Sequence, residues 1–401
     1  MKDPKILCLI TLSRSGSNLF HSLLDGHPQV LSFPRYLQFN GFWEGLKDKS
    51  DAAFCVDSFI AAHPKIFSGL AWIEYDRADR LGPGMDETFS VDEELFRREA
   101  LKILGGGRLS RKGLFLALNC AYHSACGKSF PEEPLIVDHI HYIDRLDEVK
   151  AALADFPETT YALVMTRHPV DNLNACVGAM KWRDMLFCGE LYNRHKQILR
   201  GILHFTEACP GLRVKYLGFE RFLNEPREAM EAFASWVGIR WDDCLLRSTL
   251  QGKLWWGNGR VPRNGITGGR GRYEPKTILE KKDLEMFTGI IPARMSVMGY
   301  SEPVRAGAAP SRIKLCLLIA LPTAAEWGIL KNMFSPAYWK GVGRKGRGRI
   351  PLALKRLNPV AWGYYFIKRV LYYLGFMAGH DGGKEIAPML MDYGKTFVRL
   401  T

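Results

Sequence analysis

An unbroken apolar run at residues 5–12 is followed at once by Ser-Arg-Ser-Gly-Ser-Asn at 13–18. Leu19, Phe20, Leu23 and Leu24 come next at helical spacing, and Gly26-His27-Pro28 closes the segment. A short, continuous apolar run reads as a buried parallel strand. The chain therefore opens strand, tight loop, helix. That order constrains the fold, because a strand feeding a helix of this kind belongs to an α/β sheet. It also builds an anion site. The first amides of a helix have no partners within it, and the helix dipole favours negative charge there. Gly16 permits close backbone approach, Ser15 and Ser17 add hydroxyl donors, Asn18 begins the helix, and Arg14 supplies a fixed charge with a planar fork.

Further apolar strand segments are expected at 29–33, 135–138, 161–166 and 213–217, with helical segments at 144–155 and 227–237 between them. The alternation predicts a doubly wound, mostly parallel sheet with helices on both faces. Residues 40–130 read as a helical or irregular insertion near the active site. At 47% hydrophobic and 24% charged residues, the composition is that of a chain able to bury a large core.

Near residue 303 the character changes. Residues 302–310 (Glu-Pro-Val-Arg-Ala-Gly-Ala-Ala-Pro) read as a linker, dividing the chain into a domain at 1–303 and a basic, mainly helical extension at 304–401. Residues 305–401 carry 16 Lys/Arg against 4 Asp/Glu, whereas the first 304 carry 39 against 38. Within the extension, Arg344, Lys345, Arg347 and Arg349 stand among aromatics that include Trp327, Trp339, Trp362, Tyr364 and Tyr372. Three readings follow: attachment to an anionic membrane surface, nucleic-acid binding without a recognised module, or a basic cap on the domain. Of these, nucleic acid is not expected as a partner. Residues 313–321 are too short to cross a bilayer, and 361–379 are interrupted by Lys368-Arg369.

Nine scattered cysteines form no CxxC pair and no Cys/His metal spacing, so they read as buried thiols of a reducing compartment. Met-Lys-Asp-Pro leads straight into the first strand, leaving no room for a signal peptide. The expectation is a cytoplasmic protein, membrane-associated if the extension binds lipid.

Two histidines, His139 and His141, follow the apolar run at 135–138. Open α/β sheets place their chemistry at the carboxyl ends of strands. Alternating residues share one face of an extended segment. A histidine there suits removal of a proton near neutral pH. The loop is not a Walker A motif, since Gly16 is followed by Ser-Asn rather than Lys-Ser/Thr, which disfavours a nucleotide-triphosphate site. Gly127-Lys128-Ser129 has Tyr122 where that motif needs glycine.

The segment 11–28 resembles the 5′-phosphosulfate loop of the PAPS-dependent sulfotransferases. Residues 165–176 (Met-Thr-Arg-His-Pro-Val-Asp-Asn-Leu-Asn-Ala-Cys) are similar to that family's 3′-phosphate motif, with Arg167, Pro169 and Asp171 matching. Ala175 stands where the family has serine, and Asn174 or Cys176 is its replacement. Residues 219–226 resemble the segment that faces adenine, with Phe219 in place of tyrosine. Arg263-Asn264-Gly265 is similar to the late loop that closes the 3′-phosphate site, and Arg270-Gly271-Arg272 competes for that role.

The resemblance implies a P-loop-like fold and the donor PAPS, with PAP as product. It implies donor contacts from Arg14, Ser15, Gly16, Ser17, Asn18, Arg167, Asn174, Phe219, Arg263, Asn264 and Gly265. It also implies metal-free in-line transfer to a hydroxyl, with a carbohydrate or glycolipid as the acceptor class. The family's Lys-x-His pattern puts His141 in the base position and His139 where lysine would stand. The alternatives are a P-loop small-molecule kinase and a nucleotide- or membrane-binding protein that has lost catalysis.

Overall fold

The structure is a computed structural model. It describes residues 3–72, 77–105, 109–182, 188–257, 279–291, 300, 310–337, 339–340 and 359–378. The chain folds into two compact units. One comprises 1–165, 205–273 and 399–401; the other comprises 166–204 and 274–398. The units interleave along the chain. The linker expected at 303 lies outside the described residues.

The first unit is built on a five-stranded sheet of order β2–β3–β1–β4–β5. The strands are β1 (Lys5–Thr11), β2 (Val30–Ser32), β3 (Leu135–Ile140), β4 (Thr160–Thr166) and β5 (Arg213–Gly218). β1 pairs in parallel with β3 and with β4, Leu9 lying opposite His139 and Thr11 opposite Met165. From β1 the chain moves to β2 on one side of the sheet, whereas from β4 it continues to β5 on the other. The topological switch point thus lies at the carboxyl ends of β1 and β4, where open α/β sheets bind ligands.

Alternation across the pleat sends Leu7 and Leu9 to one face, where they join α1 (Ser17–Leu24) and α11 (Pro226–Val237) in an apolar core. Phe20 packs edge-on to Phe233 in that core, with ring centres 5.0 Å apart. Cys8 and Asp138 point to the opposite face, toward Glu148 of α7 (Leu146–Asp155). Both faces are therefore covered by helix, as the alternating pattern predicts. Between β2 and β3 stand α2 (Phe39–Gly45), α3 (Ala52–Ala62), α4 (Pro64–Phe67), α5 (Glu93–Leu104) and α6 (Arg111–Ala125), the expected helical insertion. Asp51, Asp92 and Ser110 cap the first turns of α3, α5 and α6 through their side chains. A two-stranded hairpin, β6 (Thr249–Leu250) and β7 (Lys253–Leu254), follows α10 (Phe219–Asn224) and α11.

The second unit is helical in its described residues. Its helices are α8 (Pro169–Trp182), α9 (Cys188–Ala208), α12 (Lys281–Ile290), α13 (Arg312–Ala320), α14 (Ala324–Met333) and α15 (Pro359–Met377). Val170, Leu199, Phe287, Ile319, Ile329 and Tyr373 belong to one shared core. The C-terminal helices therefore share their core with α8 and α9 rather than forming a separate body.

Arg369 is central to this core. Only 1% of it is exposed, and its Nε donates to Glu326 Oε1 at 2.7 Å. Its Nη1 and Nη2 donate to the carbonyls of Ile319 and Leu321. Glu326 Oε2 in turn accepts from the Thr323 amide, closing a capping box at the start of α14. By length and composition the stretch Arg312–Met333 is apolar enough to cross a membrane, although 313–321 alone is too short. Pro322 separates it into α13 and α14.

Candidate active site

The loop after β1 has a backbone that its sequence does not announce. Ser13 and Arg14 sit at φ 53° and 58°, and Gly16 at φ 88°. Non-glycine residues occupy the left-handed region at a cost of about 1–3 kcal/mol each, and such strain gathers at ligand-binding turns. The N-terminus of α1 adds unpaired amides, with Gly16 as its N-cap and no side-chain cap. Thr11 and Ser15 share a 2.9 Å hydroxyl hydrogen bond that fixes the loop from below. Arg14 is exposed.

Gly16 is required twice over. Its φ favours glycine, and a Cβ there would collide with the ring of Phe219. The residue expected to face adenine is therefore seated directly against the phosphate loop, at the start of α10.

His139 is buried inside β3, and His141 lies one residue beyond the strand, partly exposed. His139 Nε2 lies 3.2 Å from Ser17 Oγ, joining β3 to the phosphate loop. Its Nδ1 lies 3.0 Å from Nδ1 of His21 on α1, so one of the two rings donates and the other accepts. Burial, with smaller contributions from His21 and His141, holds His139 well below the ordinary imidazole pKa. Burial lowers His21 to about 4, against smaller raising effects of Asp25 and the Phe33 carbonyl. Both rings are therefore neutral at pH 7. His141 stacks on Tyr36, with centroids 4.6 Å apart at an interplanar angle of 16°.

Beside this pair lies a cavity lined by Asn18, His21, Ser22 and Asp25 of α1 and by Pro34, Arg35 and Tyr36 after β2. His139 and the hairpin residues Thr249, Leu250 and Trp255 complete it. None of the lining residues comes from 40–130, the insertion expected to shape the acceptor site. The hairpin supplies the wall opposite α1. Gln251 and Gly252 form its two-residue turn, both at positive φ, and this twist matches that of paired strands. Sequence reading missed the hairpin, because Gln-Gly is a weaker signal than Asn-Gly and each strand has only two residues.

Arg167 and Asn174 belong to the second unit and are both buried. Pro169 opens α8, where its fixed φ and missing amide proton are suited to the first helical position. The Asn172 amide donates to the His168 carbonyl at 2.8 Å. Cys176 points its thiol at Asn172 Oδ1 at 3.7 Å. Arg263, Asn264 and Gly265, like the competing Arg270-Gly271-Arg272, lie outside the described residues. Among the described residues no group of three or more His, Cys, Asp or Glu side chains converges on one point.

A family model described as the sulfotransferase family matches residues 7–243 of the chain, from β1 through α11. The chain belongs to the sulfotransferase family. Two solved structures are similar to it. One is the sulfotransferase domain from the curacin biosynthetic pathway, at 15% identity and TM-score 0.41, covering 69% of this chain and 95% of that one. The other is the sulfotransferase domain from the Synechococcus PCC 7002 olefin synthase, at 16% identity and TM-score 0.34, covering 61% and 78%. No curated protein matches.

Proposed function

We propose that this sulfotransferase takes its sulfuryl group from PAPS and delivers it to a hydroxyl of a carbohydrate or glycolipid, with His141 as the base. The observation that carries the donor assignment is the loop at 13–18. Its left-handed residues, the free helix N-terminus and the glycine pressed against Phe219 fit a 5′-phosphosulfate with an aromatic ring close by. Arg167 directly follows β4 and opens the segment that resembles the family's 3′-phosphate motif, which supports its role toward that phosphate.

PAPS supplies an electrophilic sulfuryl group. The loop amides and Arg14 neutralise charge gathering on the departing phosphate oxygen. His141 takes the acceptor proton as the new oxygen–sulfur bond forms and the old one breaks. His139 has both ring nitrogens engaged, with Ser17 and His21. It therefore positions the loop, and His141, partly exposed one residue beyond β3, takes the base position that the family pattern gives it. Isothermal calorimetry tests the donor. Metal-independent binding of PAP is expected, and binding of Mg·ATP without PAP would overturn the reading in favour of a kinase.

A membrane contact through the C-terminal helices is a second element of the proposal. Val360, Tyr364, Ile367, Leu371 and Leu374 are all exposed and form one stripe along α15. Ile313 and Leu317 are exposed on one side of α13, and Leu321 is exposed at its C-cap. With the surplus of 16 basic over 4 acidic residues in 305–401, these stripes suit an anionic bilayer surface.

A further inference from the structure

We infer that Asp25 anchors a second hydroxyl of the acceptor and thereby selects polyhydroxylated acceptors over simple alcohols and phenols. The inference rests on the proposed sulfotransfer at the loop after β1. Asp25 is 3% exposed. One of its carboxylate oxygens, Oδ2, accepts from Thr249 Oγ at 2.9 Å and from the Gly252 amide at 2.7 Å. The other, Oδ1, is buried and has no hydrogen-bond partner among the described residues. Both oxygens are thus held rigidly by the hairpin turn, and one is left over in a residue that lines the cavity.

A buried carboxylate oxygen without a donor is costly, so a site that keeps one is built to receive a donor from outside. The enclosed part of the cavity offers about 30 Å³, the room of about two waters, which fits one hydroxyl or hydroxymethyl group while the rings that carry it lie in the part open to solvent. Arg35 brings a positive charge to the same cavity lining, and His21 and His139 are neutral. A neutral donor is therefore favoured over an ammonium ion, and an acidic group is repelled by Asp25. Tyr36, Leu250 and Trp255 supply the apolar walls against which the C–H face of a sugar rests.

The helix sets the reach. Asn18, His21, Ser22 and Asp25 recur at the spacing of one α1 face. Asn18 adjoins Ser17, the loop residue bonded to His139. Seven residues at 1.5 Å rise separate the reacting end of the cavity from Asp25 by about 10 Å, less the backward tilt of the side chains. Two linked sugar rings span that length; a single small alcohol does not.

The test is transfer from labelled PAPS to methyl maltoside, methyl lactoside and methyl cellobioside, against cyclohexanol and 4-nitrophenol. The wild type is expected to prefer at least one glycoside. Asp25→Asn, checked by thermal melting, is expected to lower kcat/KM for that glycoside by about ten-fold or more. Turnover of the simple alcohols and affinity for PAP should stay within about two-fold, because a site that bonds a hydroxyl discriminates through that bond. Unchanged glycoside turnover in Asp25→Asn, or a wild type that prefers 4-nitrophenol, overturns the inference and leaves a water pocket. A wild type that binds no PAP overturns the donor reading beneath it as well. Should Asp25→Asn fail to fold, calorimetry on the PAP-saturated wild type decides. The fully O-methylated glycoside is expected to bind at least about ten-fold more weakly than its parent, and equal binding overturns the inference.

Discussion

At the scale of single residues, the phosphate loop and the histidine pair carry the sharpest consequences. Gly16→Ala places a Cβ into Phe219 at a φ that alanine adopts at a cost of about 1 kcal/mol. The variant should melt lower than wild type and bind PAP at least about ten-fold more weakly by calorimetry; wild-type PAP affinity would show that the loop tolerates the shift. The two histidines are separable. His141→Ala should abolish transfer and leave PAP affinity nearly unchanged, whereas His139→Ala releases Ser17 and should weaken PAP binding. Full activity in His141→Ala would move the base to His139. The sequence made both candidates visible. It did not show that His139 is tied at both nitrogens, because His21 lies 118 positions away and meets it only once α1 is laid beside β3.

At the scale of elements, the basic extension proved less uniform than its composition. Lys368 and Arg369 adjoin in sequence, yet Lys368 is exposed and Arg369 is buried against Glu326. Removing one partner of such a pair leaves an uncompensated buried charge, at a cost of about 3–5 kcal/mol. Arg369→Ala is therefore expected to unfold at a markedly lower urea midpoint, and Arg369→Met combined with Glu326→Leu to recover most of the loss. Equal midpoints for Arg369→Ala and wild type would show that the pair contributes nothing. The exposed stripe on α15 leads to a different measurement. The protein should float with liposomes containing phosphatidylserine at low salt, and Ile367→Asp with Leu371→Asp should sink without losing helicity. No flotation of the wild type would remove membrane contact. Trp339, Trp362 and Tyr372, aromatics that the membrane reading would set at an interface, pack against the core of the second unit.

At the scale of the whole molecule, buried titratable groups set how stability responds to pH. Burial lowers His21 to about 4 and His195 to about 3, the latter aided by Arg369. Each contributes stability that is present above the unfolded value near 6.5 and is lost as pH falls toward the folded value. Burial, with help from Glu148, raises Asp138 to about 7, so its contribution runs the other way and is lost as pH rises from about 4 to 7. Between pH 6.5 and 4, unfolding takes up protons on His21, His195 and His139 and releases one from Asp138. The net uptake makes stability fall with pH, by up to about 1.4 kcal/mol per unit for each net proton. Urea midpoints at pH 7, 6 and 5 should decline in that order, more steeply in Asp138→Asn; midpoints that do not change would contradict the assignment.

The sequence by itself determined the strands of the main sheet, the helices that alternate with them at 17–24, 146–155 and 226–237, and the phosphate loop. Apolar periodicity is a local property, and all five strands of the main sheet fall within two residues of the segments expected from it. It also determined which residues ride on the loop after β1. Only the tertiary structure decided what surrounds them. The left-handed backbone at Ser13 and Arg14, the seat of Phe219 on Gly16 and the His21–His139 bond each join groups distant in the chain or set by packing. The hairpin that orients Asp25 is the clearest case. Thr249 and Gly252 lie more than 220 positions from the carboxylate they hold, and no local pattern encodes such a meeting.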